Sequence, residues 1–177
     1  MDFNFKKYDP VRFILFFLLL PVFASTQTVN VEDNRIVYKG AVKVAGASRE
    51  QLVAKARQTI LRLVDRHDPK INQNDSETTR VWFGGAIKLS STDHVSQKVE
   101  YICEINLKDG GYEYRIDSVY LFQKESGHVA TRISSEELLK KMESSGPVAA
   151  STERQLNEID MNFQKLIDQI NNDMGKM

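Results

Sequence analysis

The chain has 177 residues but one cysteine, one tryptophan, three histidines and four prolines. A single thiol, Cys103, excludes an intramolecular disulfide. It alternates in step with Val99, Tyr101, Ile105 and Leu107, which makes it a small buried apolar residue. The histidines, His67, His94 and His128, are scattered and match no metal-ligand spacing such as HExxH, so each reads as a surface residue of a loop or helix end. There is no GxSxG, no phosphate-binding loop and no dinucleotide glycine pattern. Charge of one sign is also lacking: 24 basic side chains face 24 acidic ones. That balance argues against the basic footprint of a nucleic-acid binder, and there is no polybasic patch for anionic lipid. From these absences we expect no catalytic residues, no cofactor, no metal and no nucleic-acid partner.

What is present is ordinary for a globular domain, with 41% hydrophobic and 27% charged residues. The one long apolar run is Phe13 to Ala24, FILFFLLLPVFA, preceded by Lys6, Lys7 and Arg12. Its 12 residues, broken by Pro21, are too few for a span of about 20 residues. Small Ala24 is followed by polar Ser25, Thr26 and Gln27. The order of basic, apolar and small residues is that of a secretory signal cleaved near Ala24. The expected location is therefore periplasmic or extracellular, with no stable membrane span after cleavage. Cleavage there takes three of the 24 basic and two of the 24 acidic side chains, so the balance passes to −1.

Beyond the signal, residues 26–34 are polar and read as a lead-in. Residues 35–45 alternate, with Ile36, Tyr38, Val42 and Val44 on one side and Gly40 as a bulge signal. Ser48 and Gln51 form a capping box for a helix over about 48–66. Leu52, Val53, Ala56, Ile60, Leu63 and Val64 recur along it at helical spacing, and Asp68-Pro69 stops it. Residues 78–90 read as a strand interrupted at Gly84-Gly85, and residues 96–107 alternate cleanly. Asp109-Gly110-Gly111 makes a tight hairpin, with positive φ expected at both turn positions. Residues 112–122 alternate again, with Tyr112, Tyr114, Ile116, Tyr120 and Phe122 in phase. Ser134 caps a short helix, which Gly146-Pro147 follows as a stop. A final amphipathic helix opens at Ser151 or Thr152 and runs to about Met174. Its stripe of Leu156, Ile159, Phe163, Leu166 and Ile170 can dock on the chain's own sheet, pair with a copy of itself as a weak homo-oligomer, or meet a different partner. A strand, a helix, a run of strands and then helices make an α+β fold with an antiparallel sheet.

Three pieces carry a likeness to known proteins: VKVAGASREQLVAKA, RVWFGGAIKL and VEYICEINLKDGGYEYRIDSVYLF. The stretch 37–122 resembles a family of exported bacterial proteins, a domain of unknown function with a TATA-binding-protein-like (TBP-like) fold. Gly111 departs from the basic residue that many members would carry after the first turn glycine. The resemblance implies a curved antiparallel sheet of about five strands with one long helix on one face. It implies no activity and no site residues, and the fold's name does not imply DNA binding. The expected organisation is a signal over 1–24, a TBP-like domain over 35–125 and a C-terminal helical extension over 126–177.

Alternation leaves a second sheet face bearing Lys39, Lys43, Arg80, Trp82, Lys88, Glu100, Ile102, Glu104, Glu113, Arg115 and Asp117. Trp82, flanked by Arg80 and joined by Arg115 and Lys39, is the candidate interaction surface, because tryptophan and arginine are common interface anchors. The plain alternative is a solvated face of cross-strand ion pairs, with Trp82 covered by the C-terminal helices. We expect a non-catalytic binding module for a protein or glycan of the cell envelope. Two alternatives stand beside it: an assembly protein acting through its C-terminal helix, and a cryptic hydrolase, which needs a pocket holding a histidine and a carboxylate.

Overall fold

The computed structural model describes residues 30–63, 79–90 and 95–176. The expected signal at 1–24, the helix stop at Asp68-Pro69, and His67 and His94 lie outside the described residues.

Among the described residues, seven strands and three helices follow one another as β1 (Val31–Glu32), β2 (Arg35–Ile36), β3 (Tyr38–Lys43), α1 (Arg49–Leu63), β4 (Arg80–Lys88), β5 (Val95–Lys108), β6 (Gly111–Glu125), β7 (Thr131–Ser134), α2 (Ser135–Met142) and α3 (Pro147–Gly175). The main sheet is antiparallel and five-stranded, ordered β3-β6-β5-β4, with β7 also pairing β6. The lead-in is more structured than its polarity suggests. β1 pairs β2 through a two-residue turn in which Asp33 and Asn34 both take positive φ, 49° and 61°. β7 is the other element that periodicity misses, being four residues long.

All three helices pack on one face of the sheet and share a single core with it. That core runs from Ile36 and Tyr38 through Leu52, Phe83, Cys103 and Leu121 to Leu138, Phe163 and Met174. Segment 126–177 thus shares its interior with segment 35–125. The capping box forms as expected. The Gln51 amide donates to Ser48 Oγ at 3.3 Å, and the Ser48 amide donates to Gln51 Oε1 at 2.9 Å. The β5–β6 turn adds to it, because Asp109 Oδ1 accepts from the Arg49 amide at 2.8 Å. In that turn only Gly110 takes positive φ, at 75°, so the expectation of two positive-φ positions is corrected.

Gly40 and the Gly84-Gly85 pair, read as bulge or break signals, do not interrupt their strands. β4 keeps continuous register with β5, and β3 with β6. Gly40 lies opposite Tyr114, and Gly85 opposite Tyr101. A Cβ at Gly40 would fall 2.6 Å from the Tyr114 hydroxyl oxygen, and one at Gly85 would fall 2.3 Å from that of Tyr101. Each glycine gives up its side chain to admit a tyrosine ring. The real irregularity is in β6. Ser118 takes φ 53°, and the β5–β6 register shifts between Glu100 and Ile102. One extra residue reverses the facing of everything after it. Val119 and Leu121 therefore enter the core, while Tyr120 and Phe122 turn to the open face, opposite to the expected phase.

α3 begins at Pro147, about four residues earlier than expected. Proline is tolerated in a first helical turn, where its missing N–H costs nothing, so Gly146-Pro147 starts a helix rather than ending one. Thr152, one of the two positions expected to open the helix, is buried inside it and donates to the Val148 carbonyl at 2.9 Å. The stripe Leu156, Ile159, Phe163, Leu166, Ile167, Ile170 and Met174 is buried. The Phe163 ring sits 4.9 Å from that of Tyr38 and 5.2 Å from that of Tyr101. Of the arrangements open to the helix, the structure adopts docking on the chain's own sheet. None of the described helices is long and apolar enough to cross a membrane.

Candidate functional site

Because the helices lie together on one side, they leave the opposite sheet face uncovered by any described helix. Strand alternation puts the four candidate residues there. Trp82 pairs with Glu104, Glu104 with Arg115, and Arg115 with Lys39, so three of the four stand in one row across four strands. Arg80 occupies the next row, opposite Asn106. Trp82 is half-buried, and the C-terminal helices do not cover it, contrary to the plain alternative.

The other half of that alternative does appear, since the cations of this end are held by carboxylates. Arg80 pairs with Glu104. Arg115 donates to Asp117 Oδ2 at 2.9 Å and to Glu32 Oε2 at 3.1 Å, and Lys39 reaches Glu32 Oε1 at 2.9 Å. Hydrogen bonds from Lys39 and Arg115 hold the Glu32 carboxyl below its usual range. Asp117 and then Glu32 hold the Arg115 guanidinium above its own. These pairs are exposed, so they fix geometry more than they stabilise. They frame Trp82 in an ordered and nearly neutral grid.

Toward the far end, the bulge at Ser118 adds what alternation missed. Ile102 is exposed between Trp82 and Tyr120, and Phe122 follows, so an apolar diagonal crosses the face from β4 to β6. The Arg132 guanidinium lies 3.5 Å from the Tyr120 ring centre, and Lys98 Nζ lies 5.1 Å from that of Phe122. The only sequence signal for this cluster was Ser118 itself, a polar break between Ile116 and Val119.

Among the described residues, the chemistry-bearing side chains do not converge. Cys103 is buried in the core, and burial pushes its thiol far above the usual range, which keeps it protonated. His128 sits exposed in the loop after β6, 3.8 Å from Glu125. Among the described residues no group of three His, Cys, Asp or Glu side chains could hold a metal ion.

The fold, by contrast, has close counterparts. A TBP-like protein from Parabacteroides distasonis ATCC 8503 superposes with a TM-score of 0.71 at 11% identity, over 84% of this chain and 97% of that one. This chain has the TBP-like fold. A DUF4468 family protein from Bacteroides ovatus ATCC 8483 superposes with a TM-score of 0.66 at 13% identity, over 86% of this chain and 93% of that one. No family model and no curated protein matches the sequence. The superpositions extend beyond 37–122, since they take in 84% and 86% of the chain. At such identities they establish a fold and leave function to the site.

Proposed function

We propose that this chain is an exported, non-catalytic binding module of the periplasm or cell envelope, and that its open sheet face engages a protein partner with Trp82 as the anchor. The observation that carries the reading is the one-sided packing of all three helices. It leaves a sheet face on which a half-buried tryptophan and an apolar diagonal are framed by ordered ion pairs. An apolar centre with a polar, hydrogen-bonded rim is how protein interfaces are built, and Trp and Arg are their usual anchors. Export is supported by the order of Lys6, Lys7, Arg12, the run 13–24 and Ala24. An assembly role through the C-terminal stripe is the weaker reading, because α3 spends that stripe on its own core.

The test is capture from the cell envelope with the wild-type chain and with Trp82→Ala. A partner retained by the wild type and lost by the variant, at unchanged melting temperature, supports the reading. A variant that melts much earlier and captures the same proteins assigns Trp82 to stability instead. An N-terminus intact at Met1 on the fractionated protein removes the export half of the proposal.

A further inference from the structure

At the far end of the open face, the register sets four residues directly opposite one another: Lys88 with Lys98, Lys98 with Phe122, and Phe122 with Arg132. This row crosses β4, β5, β6 and β7, roughly 14 Å at the usual strand spacing. Lys124, paired with Ser96, adds a fourth cation in the next row. The neighbouring row on the other side holds Ala86, Glu100, Tyr120 and Ser134, and Glu100 takes Lys98 Nζ at 2.6 Å. Four cations therefore share one carboxylate across these rows among the described residues. The contrast with the Trp82 end is physical, because there each arginine has its own acid. Like charges set directly across two strands destabilise a sheet, so the Lys88–Lys98 opposition is a cost that the fold itself does not need.

The aromatic rings make the row more than a charge cluster. The Arg132 guanidinium lies over Tyr120 at 3.5 Å and within 5.7 Å of Phe122. A guanidinium held over a ring is already ordered, and its edge N–H groups remain directed outward for a bidentate acceptor. Resting on the binding-module reading above, we infer that this row is the recognition site for a short acidic segment of a protein partner. Two or three carboxylates of that segment sit over Lys88, Lys98 and Arg132. Charge complementarity favours this occupant. The cationic end is bounded along the face by Glu100, Asp117, Glu104 and Glu113, so a long polyanion such as a nucleic acid would run onto carboxylates. An anionic lipid surface would gain little, because the rings that could insert are capped by cations.

The probe is a fluorescently labelled hexaglutamate peptide, titrated by anisotropy against the full chain. Binding is expected, weakening as salt rises from about 50 mM to 200 mM. Arg132→Gln and Lys88→Gln should each weaken it several-fold, and Lys98→Glu/Arg132→Glu by about tenfold or more. Arg57→Gln, exposed on α1 on the other side of the sheet, should leave it unchanged. The single Gln variants, checked by thermal melting, keep the test open should the charge reversal unfold the chain. Hexaglutamate that does not bind, or that binds wild type and Arg132→Gln equally, overturns the inference. So does binding only to vesicles containing phosphatidylglycerol. A partner that is captured in a Trp82-dependent way, while hexaglutamate fails, overturns this site alone and leaves the binding-module reading standing.

Discussion

The Tyr38 hydroxyl donates to Asp160 Oδ1 at 3.0 Å, both side chains being buried and 122 residues apart in sequence. This contact ties the first strand of the main sheet to the middle of α3. Burial and the neighbouring carboxylate push the Tyr38 phenol far above its usual range, so it stays a donor. Tyr38→Phe leaves the buried carboxylate without that donor and should cost about 2 kcal/mol, near the middle of the range for an orphaned buried acceptor. Replacing both partners, Tyr38→Phe with Asp160→Leu, should recover most of the loss. Urea unfolding of the three chains checks it; a double variant no better than the single would show that the bond is not the source.

The adjacent glycines of β4 should respond in opposite ways. Gly85 faces the core under Tyr101, whose ring is held edge-on by Phe83 at 6.3 Å and Phe163 at 5.2 Å. Gly85→Ala forces that ring to move and should destabilise by about 1–3 kcal/mol. Gly84→Ala meets nothing nearer than the Tyr101 carbonyl at 3.8 Å and should stay within about 0.5 kcal/mol of wild type. Equal losses in thermal melting would place the Tyr101 ring elsewhere.

Ser118 sets the facing of the second half of β6. At φ 53°, a β-branched side chain is strained, so Ser118→Val should cost about 1–2 kcal/mol, while Ser118→Gly should be no less stable than wild type. Deleting Ser118 should be far worse, because it would rotate Leu121 out of the core and Phe122 in. Melting temperatures of the three variants give the order.

Alkaline pH should unfold the chain through its tyrosines. Burial raises Tyr38, Tyr101, Tyr112 and Tyr114, Tyr112 to about 12. A raised phenol favours the neutral form in the folded state. Its contribution is therefore complete below the unfolded value of 10.0 and is lost as pH climbs through the folded one. Thermal stability should fall steeply between about pH 10 and 12, with phenolate absorbance rising together with the loss of structure rather than before it. A smooth phenolate titration at constant structure would contradict the burial of these rings.

How far the sequence reaches depends on the range of the interaction involved. The Ser48–Gln51 capping box, the alternation of β5 and the Ser134 cap of α2 use partners within a few residues, and all three form as read. The candidate site is legible to the same extent. Period-two alternation puts Trp82, Arg80, Arg115 and Lys39 on one face, but it gives no partners, and Glu32, which joins Lys39 to Arg115, came from a segment read as lead-in. Gly146-Pro147 misled because the same dipeptide can stop one helix or start another.

By itself, then, the sequence determined the α+β class, the apolar faces of α1, β5 and α3 and the absence of a recognisable catalytic motif, since these follow from periodicity and residue chemistry along the chain. Only tertiary structure decided the rest. Gly40 and Gly85 read as breaks until Tyr114 and Tyr101 are seen to occupy their space. Tyr120 and Phe122 read as core until one αL residue, Ser118, between the Ile102–Asp117 and Glu100–Tyr120 pairs turns them outward. The α3 stripe also fits a seam with a second copy until Phe163 is found between Tyr38 and Tyr101. Each of these depends on a pairing between residues distant in sequence, and local periodicity holds no information about which strand lies opposite which.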